Sequence, residues 1–246
     1  MQVIWMKEAA IAREGPSTFS VLEGFQGPVA EPVFLRDISS KGSASGIRPY
    51  AYFKRSVDFL LALFGLLITA PVWVVIIAAI KLSSPGPVFY FQERFGQGGR
   101  IFKQWKFRSM VMDAEKETGP VLASERDPRI TAVGWLLRKT AMDELPQLLN
   151  ILAGDMSFVG PRPERPYLVD NVILRTVPNF HKRHVIRPGL TGLAQVYGRY
   201  NTSPRDKLRY DLLYVENYSF FLDVKLFFIS IWITLKGKWQ DRGKKF

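Results

Sequence analysis

The run Phe59–Ile80, "FLLALFGLLITAPVWVVIIAAI", carries no charge over its 22 residues, and its reading decides the fold. At 1.5 Å per residue it is long enough to cross a bilayer core of about 30 Å, so a transmembrane helix is the first expectation. Two features resist a simple span. Pro71 sits near the centre, where a proline deletes one helical hydrogen bond and clashes with the preceding turn. Lys54 and Arg55 precede the run and Lys81 follows it, and basic residues favour the cytoplasmic side at both ends. A helix broken at Pro71 that dips into one leaflet and returns meets both constraints, with Thr69 placed to help satisfy carbonyls freed by the break. On these grounds a straight span, a re-entrant helix and a helix buried in a soluble core all stay open.

Upstream, residues 1–50 read as a flexible N-terminal extension. "MQVIWMKEAAIAREG" scatters charges among its apolar positions and lacks the h-region of a signal peptide, and "SSKGSASG" at Ser39–Gly46 has linker composition. Downstream, "VFYFQERFGQGGRIFKQWKFRSM" reads as two strands joined at Gly96–Gly99, a hairpin rather than a dinucleotide fingerprint. Period-two alternation puts Lys106 and Arg108 on one face, either a phosphate-facing edge or a solvated one. Near the C-terminus, "LFFISIWITL" (Leu226–Leu235) is too short to span. Flanked by Lys225, Lys236, Lys238 and Trp239, it suits an interfacial amphipathic helix or an ordinary buried one.

The formal net charge of +12 calls for a polyanionic partner: nucleic acid, anionic lipid or a phosphorylated substrate. The charge-free apolar run argues against nucleic acid. With no cysteine, disulfides, thiolate nucleophiles and Cys-based zinc sites are excluded, and His181 and His184 lack the context of a zinc motif.

The chemistry-bearing stretch is "RKTAMDELPQLLNILAGDMSFVGPRPERP", Arg138–Pro166. "DPRITAVGWLLRKT" before and across its start reads as a short helix ending in Arg138 and Lys139. Pro146 is tolerated only in a first helical turn, so the next helix begins near Asp143, with Leu145, Leu148, Leu149 and Leu152 on one face and Gly154 as its stop. An ionised Asp at such a place is either an N-cap or a nucleophile toward phosphate. Arg138, Lys139, Arg162, Arg165, Arg187 and Arg199 fall in loop-like sequence around it, and arginine suits bidentate phosphate contacts.

Five blocks in order, "KRSVDFLLALFGLLITAP", "QERFGQGGRIFKQWKFRSM", "LRKTAMDELPQLLNILAGDMSFVGPRPERP", "RPGLTGLAQVYGR" and "YDLLYVENYSFFLDVKLFF", resemble the bacterial sugar transferase family of small monotopic phosphoglycosyl transferases. The resemblance covers roughly Lys54–Trp239. It implies an α+β, mostly helical fold: a re-entrant membrane helix-break-helix at residues 51–84, broken at Thr69-Ala70-Pro71, and a cytoplasmic catalytic domain at 85–246 with a small β-hairpin and interfacial amphipathic helices. It implies an Mg²⁺-dependent enzyme at the cytoplasmic face of the bacterial inner membrane, moving a sugar-1-phosphate from a UDP-sugar to undecaprenyl phosphate with release of UMP. Asp143 is then the nucleophile of a covalent ping-pong route and the metal contact, with Glu144 supporting it. Lys106, Arg138, Arg162, Arg187 and Arg199 become phosphate-binding candidates and Gln195 a substrate contact. Asp211 and Asp223 match family positions, with a salt-bridge role equally open. Membrane lipid, a homodimer and downstream glycosyltransferases complete the implied partners. The sugar itself is not legible. The competing reading is a non-catalytic basic peripheral membrane protein in which Asp143 is only an N-cap.

Overall fold

A computed structural model of the chain describes residues 47–114, 127–198 and 202–236. The extension up to Gly46, together with Arg199, Lys238 and Trp239, lies outside the described residues. The first element, α1, is one helix, Ile47–Ser83, with Pro71 inside it. Among the described residues it is the one helix long and apolar enough to cross a membrane. A stripe at three- and four-residue spacing, Lys54, Asp58, Ala62, Leu66, Thr69, Trp73, Ile76 and Ile80, is buried or half-buried and continues through the proline. The opposite side exposes Leu60, Phe64, Leu67, Ile68, Val74 and Val75. The Thr69 hydroxyl donates to the Gly65 carbonyl at 2.7 Å and accepts from Trp73 Nε1 at 3.2 Å. This corrects the expectation for Thr69. A helical threonine reaches the carbonyl four residues back, so Thr69 does not serve the Leu67 carbonyl that Pro71 leaves without its usual partner.

The hairpin forms as expected: β1 (Phe89–Phe95) pairs antiparallel with β2 (Ile101–Phe107). Gly98 and Gly99 adopt φ of 68° and 77° in the turn, a region that glycine enters without steric cost. Strand β2 ends at Phe107, so Arg108 leaves the face of Lys106. Its guanidinium donates to the Ser84 and Pro85 carbonyls, both at 2.8 Å, tying the exit of α1 to the hairpin.

Helix α2 is Ala132–Lys139, shorter than the Asp127–Thr140 expected. The Thr131 hydroxyl caps it by accepting from Gly134 N–H, and Ile130 is instead bridged to Met110. A 3₁₀ turn, Met142–Glu144, leads into α3 (Gln147–Ala153), which Gly154 closes at φ 89°. Sequence reading did not foresee the next unit, a parallel pair of three-residue strands, β3 (Ser157–Val159) and β4 (Gly189–Thr191). Between them run a helical stretch, Pro166–Thr176, and a 3₁₀ segment, Phe180–Val185. Helices α4 (Leu193–Tyr197), α5 (Pro204–Glu216) and α6 (Phe220–Leu235) follow.

The cores join these pieces to α1. Ala62 packs with Phe102, Leu148, Ile151 and Met156; Ile76 and Ile80 pack with Val88, Phe107 and Leu137. Helix α6 has one buried face and one exposed apolar face. Leu222, Leu226 and Ile233 are buried, while Phe221, Phe228, Trp232 and Leu235 face outward and Lys236 lies 4.3 Å from the Trp232 ring. Asp223, buried at the start of α6, accepts from Lys54, Tyr50 and Tyr214. Its role in the described structure is that of a salt bridge.

Candidate active site

The hairpin, the turn before α3 and the loop after β3 converge on two neighbouring carboxylates. Glu144 Oε1 accepts from Lys106 Nζ at 2.6 Å and from Arg162 Nη2 at 2.8 Å. Asp143 makes no hydrogen bond among the described residues, and its ion-pair partner there is Lys106 Nζ at 3.8 Å. Asp143 is not a helix cap: Ala141 precedes the 3₁₀ turn, Pro146 stands at the N-cap of α3, and neither helix start has a side-chain cap bond.

The local chain dictates this arrangement. Ala141 takes φ 56°, which turns the chain sharply out of α2, and the 3₁₀ turn then sets Asp143 inward. Leu145, two residues on, packs against the buried cluster of Ile76, Ile80, Val88, Phe107 and Leu137, to which α1 contributes Ile76 and Ile80, so the turn is anchored beside α1. Lys106 arrives from the penultimate position of β2, and Arg162 from the Gly160-Pro161-Arg162-Pro163 loop.

The two carboxyls differ electrostatically. Burial pushes the Asp143 carboxyl above the usual carboxylate range; the Lys106 ammonium works against this and the Glu144 charge reinforces it. Burial acts in the same sense on Glu144, but Arg162 and then Lys106 outweigh it and hold that carboxyl well below the range. The pair thus contains one carboxylate committed to two cations and one poised in a desolvated setting.

Other sequence candidates are distributed around this centre. Arg138, in the last turn of α2, is close enough for its charge to lower the Asp143 carboxyl's proton affinity. Arg187 is not brought to the dyad: its Nε donates to the Gly154 carbonyl at 3.1 Å, at the far end of α3, about 16 Å along the axis from Asp143 at 1.5 Å per residue. There it joins Arg55, which donates to the Ile151 and Leu152 carbonyls, in holding the helix C-terminus. Gln195 is half-buried in α4 behind Gly192. Arg199 falls outside the described residues. Asp211 is buried on α5 and pairs with Arg183 at 2.9 Å.

The description "Bacterial sugar transferase" fits residues 49–237. The chain belongs to the bacterial sugar transferase family. Within that family it is 42% identical over 191 residues to a UDP-N-acetylgalactosamine-undecaprenyl-phosphate N-acetylgalactosaminephosphotransferase of Aeromonas hydrophila, covering 76% of this chain and 45% of that protein. It is 43% identical over 185 residues to a UDP-glucose:undecaprenyl-phosphate glucose-1-phosphate transferase of Escherichia coli K12, covering 72% and 39%. The exopolysaccharide production protein PSS of Rhizobium leguminosarum bv. phaseoli is 40% identical over 200 residues, covering 78% of this chain and 98% of that protein. The chain thus spans less than half the length of the first two relatives and nearly all of the third.

The sugar transferase residues present also suit a divalent cation of the magnesium type. Such an ion takes one or two carboxylates and fills its other positions with water and substrate phosphate. Asp143 offers two oxygens without a hydrogen bond among the described residues, whereas Glu144 Oε1 is already shared by two cations. Among the described residues no group of three or more metal-ligating side chains occurs.

Sequence reading missed two arginines of this sugar transferase site. Arg94 on β1 donates to the Pro163 carbonyl at 3.1 Å, and Arg183, 2% exposed, donates to the Arg162 carbonyl at 2.6 Å. Hairpin alternation would have found the first, since Arg94 and Lys106 share a face in the observed register. Nothing local marks the second.

Proposed function

We propose that the protein transfers a sugar-1-phosphate from a UDP-sugar to undecaprenyl phosphate, releasing UMP, as an early step of exopolysaccharide or other surface-glycan assembly. The observation that carries the reading is the inequality of the dyad. Of the two adjacent carboxylates, the buried Asp143 has neither oxygen in a hydrogen bond among the described residues and lies 3.8 Å from the Lys106 ammonium, whereas the half-buried Glu144 accepts through Oε1 from both Lys106 and Arg162.

In the first half-reaction an Asp143 oxygen attacks the β-phosphorus, and the bond from that phosphorus to the bridging oxygen breaks. UMP leaves with that oxygen, and the phosphosugar stays as an acyl phosphate on Asp143. In the second, an ionised oxygen of the polyprenyl phosphate attacks the same phosphorus and Asp143 leaves as carboxylate. Lys106 and Arg138 favour the ionised nucleophile and neutralise phosphate oxygens; Glu144 keeps Lys106 and Arg162 oriented between half-reactions. A magnesium ion bound through Asp143 and the pyrophosphate would supply further charge neutralisation.

The same helix supports a one-sided membrane arrangement. Lys54 near one end of the apolar run bonds Asp223, and the Ser84 and Pro85 carbonyls beyond its other end bond Arg108, both within one catalytic domain. Both ends resting on the same polar domain support a helix that enters and leaves on one side, the cytoplasmic side where soluble UDP-sugars occur. Leu145 packs against the cluster that holds Ile76 and Ile80 of this helix, which brings the dyad within reach of a lipid-borne phosphate. The test is UMP release by membranes containing the protein and undecaprenyl phosphate, across UDP-glucose, UDP-galactose and their N-acetylated counterparts. Release with one of them and its loss in Asp143→Asn supports the reading; none with any of them contradicts it.

A further inference from the structure

The loop that carries Arg162 has an uncommon weakness. In Gly160-Pro161-Arg162-Pro163-Glu164, the prolines at 161 and 163 have no N–H, so the segment can be held in place chiefly through its carbonyls. Four in succession are engaged. The Pro161 carbonyl accepts from Gly189 N–H at 2.9 Å and the Glu164 carbonyl from Phe95 N–H at 3.0 Å. Between them the Arg162 carbonyl accepts from Arg183 Nη2 and the Pro163 carbonyl from Arg94 Nη1. Two backbone donors thus clamp the ends and two guanidiniums the middle.

Arg183 is the more telling of the two. It is among the largest fully buried side chains, stacked 4.7 Å from the Phe180 ring, with Asp211 Oδ2 at 2.9 Å and Glu164 Oε1 at 3.8 Å. Burying a charged pair costs desolvation that an apolar pair of similar volume would avoid, so stability alone is a poor reason for placing it there. Among the described residues its side chain also donates to the backbone of the residue that holds Glu144.

We propose that Arg183, with Asp211 as its buried counter-charge, is a positioning residue for the transfer: by donating to the Arg162 carbonyl it fixes the proline-rich loop so that the Arg162 guanidinium lies on Glu144. This rests on the transferase reading for its consequence in rate, and on geometry alone for its consequence in structure. Removing Arg183 alone would strand Asp211, so the informative change is the apolar pair Arg183→Met with Asp211→Leu, which removes both charges together.

The experiment compares that protein, Arg162→Ala and the combination of all three changes with wild type in nanodiscs, reading thermal midpoint, kcat and KM for UMP release with the UDP-sugar that wild type uses best, and the cryo-EM or crystal structure of the apolar pair. The expected result is a thermal midpoint at or above wild type and a kcat lowered by roughly ten- to a hundredfold, the scale of an ångström-sized misplacement. It also includes a broken Arg162–Glu144 contact and no further loss when Arg162→Ala is added, since both act through one guanidinium. A retained contact, an unchanged kcat, or losses that multiply overturns the proposal. Should the apolar pair not fold, Arg183→Lys, which keeps the charge but gives up the second guanidinium donor, is judged by the same criteria. If wild type releases no UMP, the transferase reading fails, while the Arg162–Glu144 distance still decides whether Arg183 positions the loop.

Discussion

Two carboxylates on consecutive residues differ in what their oxygens touch, and that difference divides their work. Glu144 bridges Lys106 and Arg162; Asp143 stands beside Lys106 without a hydrogen bond among the described residues. Asp143→Asn therefore abolishes turnover and also the phosphosugar adduct seen by denaturing mass spectrometry, whereas Glu144→Gln turns over slowly and still forms adduct; adduct on Asp143→Asn would reassign the nucleophile. A second expectation concerns Asp211, whose carboxyl burial pushes up to about 6, with the Arg183 charge opposing. The unfolded value is near 3.9, so between about 4 and 6 the folded protein retains a proton that the unfolded chain has lost. That contribution to stability declines as pH rises through this window and is flat above it. Thermal midpoints measured from pH 4 to 7 should lose this component in Asp211→Asn, and an unchanged slope would remove Asp211 from the account. At this scale Lys106, Asp143, Glu144 and Arg162 were legible in the sequence because residue type and motif both point to phosphate chemistry. Arg183 was not, because its partner is a carbonyl 21 positions away.

Regular elements were legible where the chain is long enough to express a period. The hairpin and the Gly154 stop appeared as expected, whereas α3 begins at Gln147 rather than near Asp143 and buries Gln147, Leu148, Asn150 and Ile151 in place of the expected leucine face. The pair β3 and β4 was not legible, because three-residue strands contain too few positions to alternate. It is nevertheless what presents the Arg162 loop. Gly160 and Gly189 meet there so closely that a Cβ on Gly189 would lie 2.1 Å from Gly160 N, against backbone that cannot rotate away. Gly189→Ala is accordingly expected to cost a few kcal/mol, as overpacking of a close site does, and to lower activity with it. A wild-type thermal midpoint in that variant would mean that the strands separate without consequence. Helix α2 illustrates the opposite case: expected from Asp127, it starts at Ala132, where the Thr131 hydroxyl supplies the cap.

At the scale of the whole molecule, the proposed function asks how one chain would serve a water-soluble donor and a lipid acceptor. The apolar run of α1 suggested a crossing, and its length alone could not choose between crossing and return. The proposed return rests on tertiary bonds, Lys54 to Asp223 and Arg108 to the Ser84 and Pro85 carbonyls, which no local pattern announces. Cysteines introduced by Ser45→Cys and Gln97→Cys, in a chain with none of its own, should both resist an impermeant maleimide in intact spheroplasts and both react after lysis. Labelling of the Ser45→Cys protein in intact cells would restore an ordinary span. Exposed Phe221, Phe228, Trp232 and Leu235 on α6 add a second apolar surface for the membrane. The proposed covalent route has two separable half-reactions, and this is tested most directly by giving the purified protein its UDP-sugar without any polyprenyl phosphate. The account predicts one equivalent of UMP per active chain together with a mass increase of one sugar phosphate on Asp143, discharged when the lipid phosphate is added. UMP release that occurs only when both substrates are present, with no adduct on the chain, would contradict it.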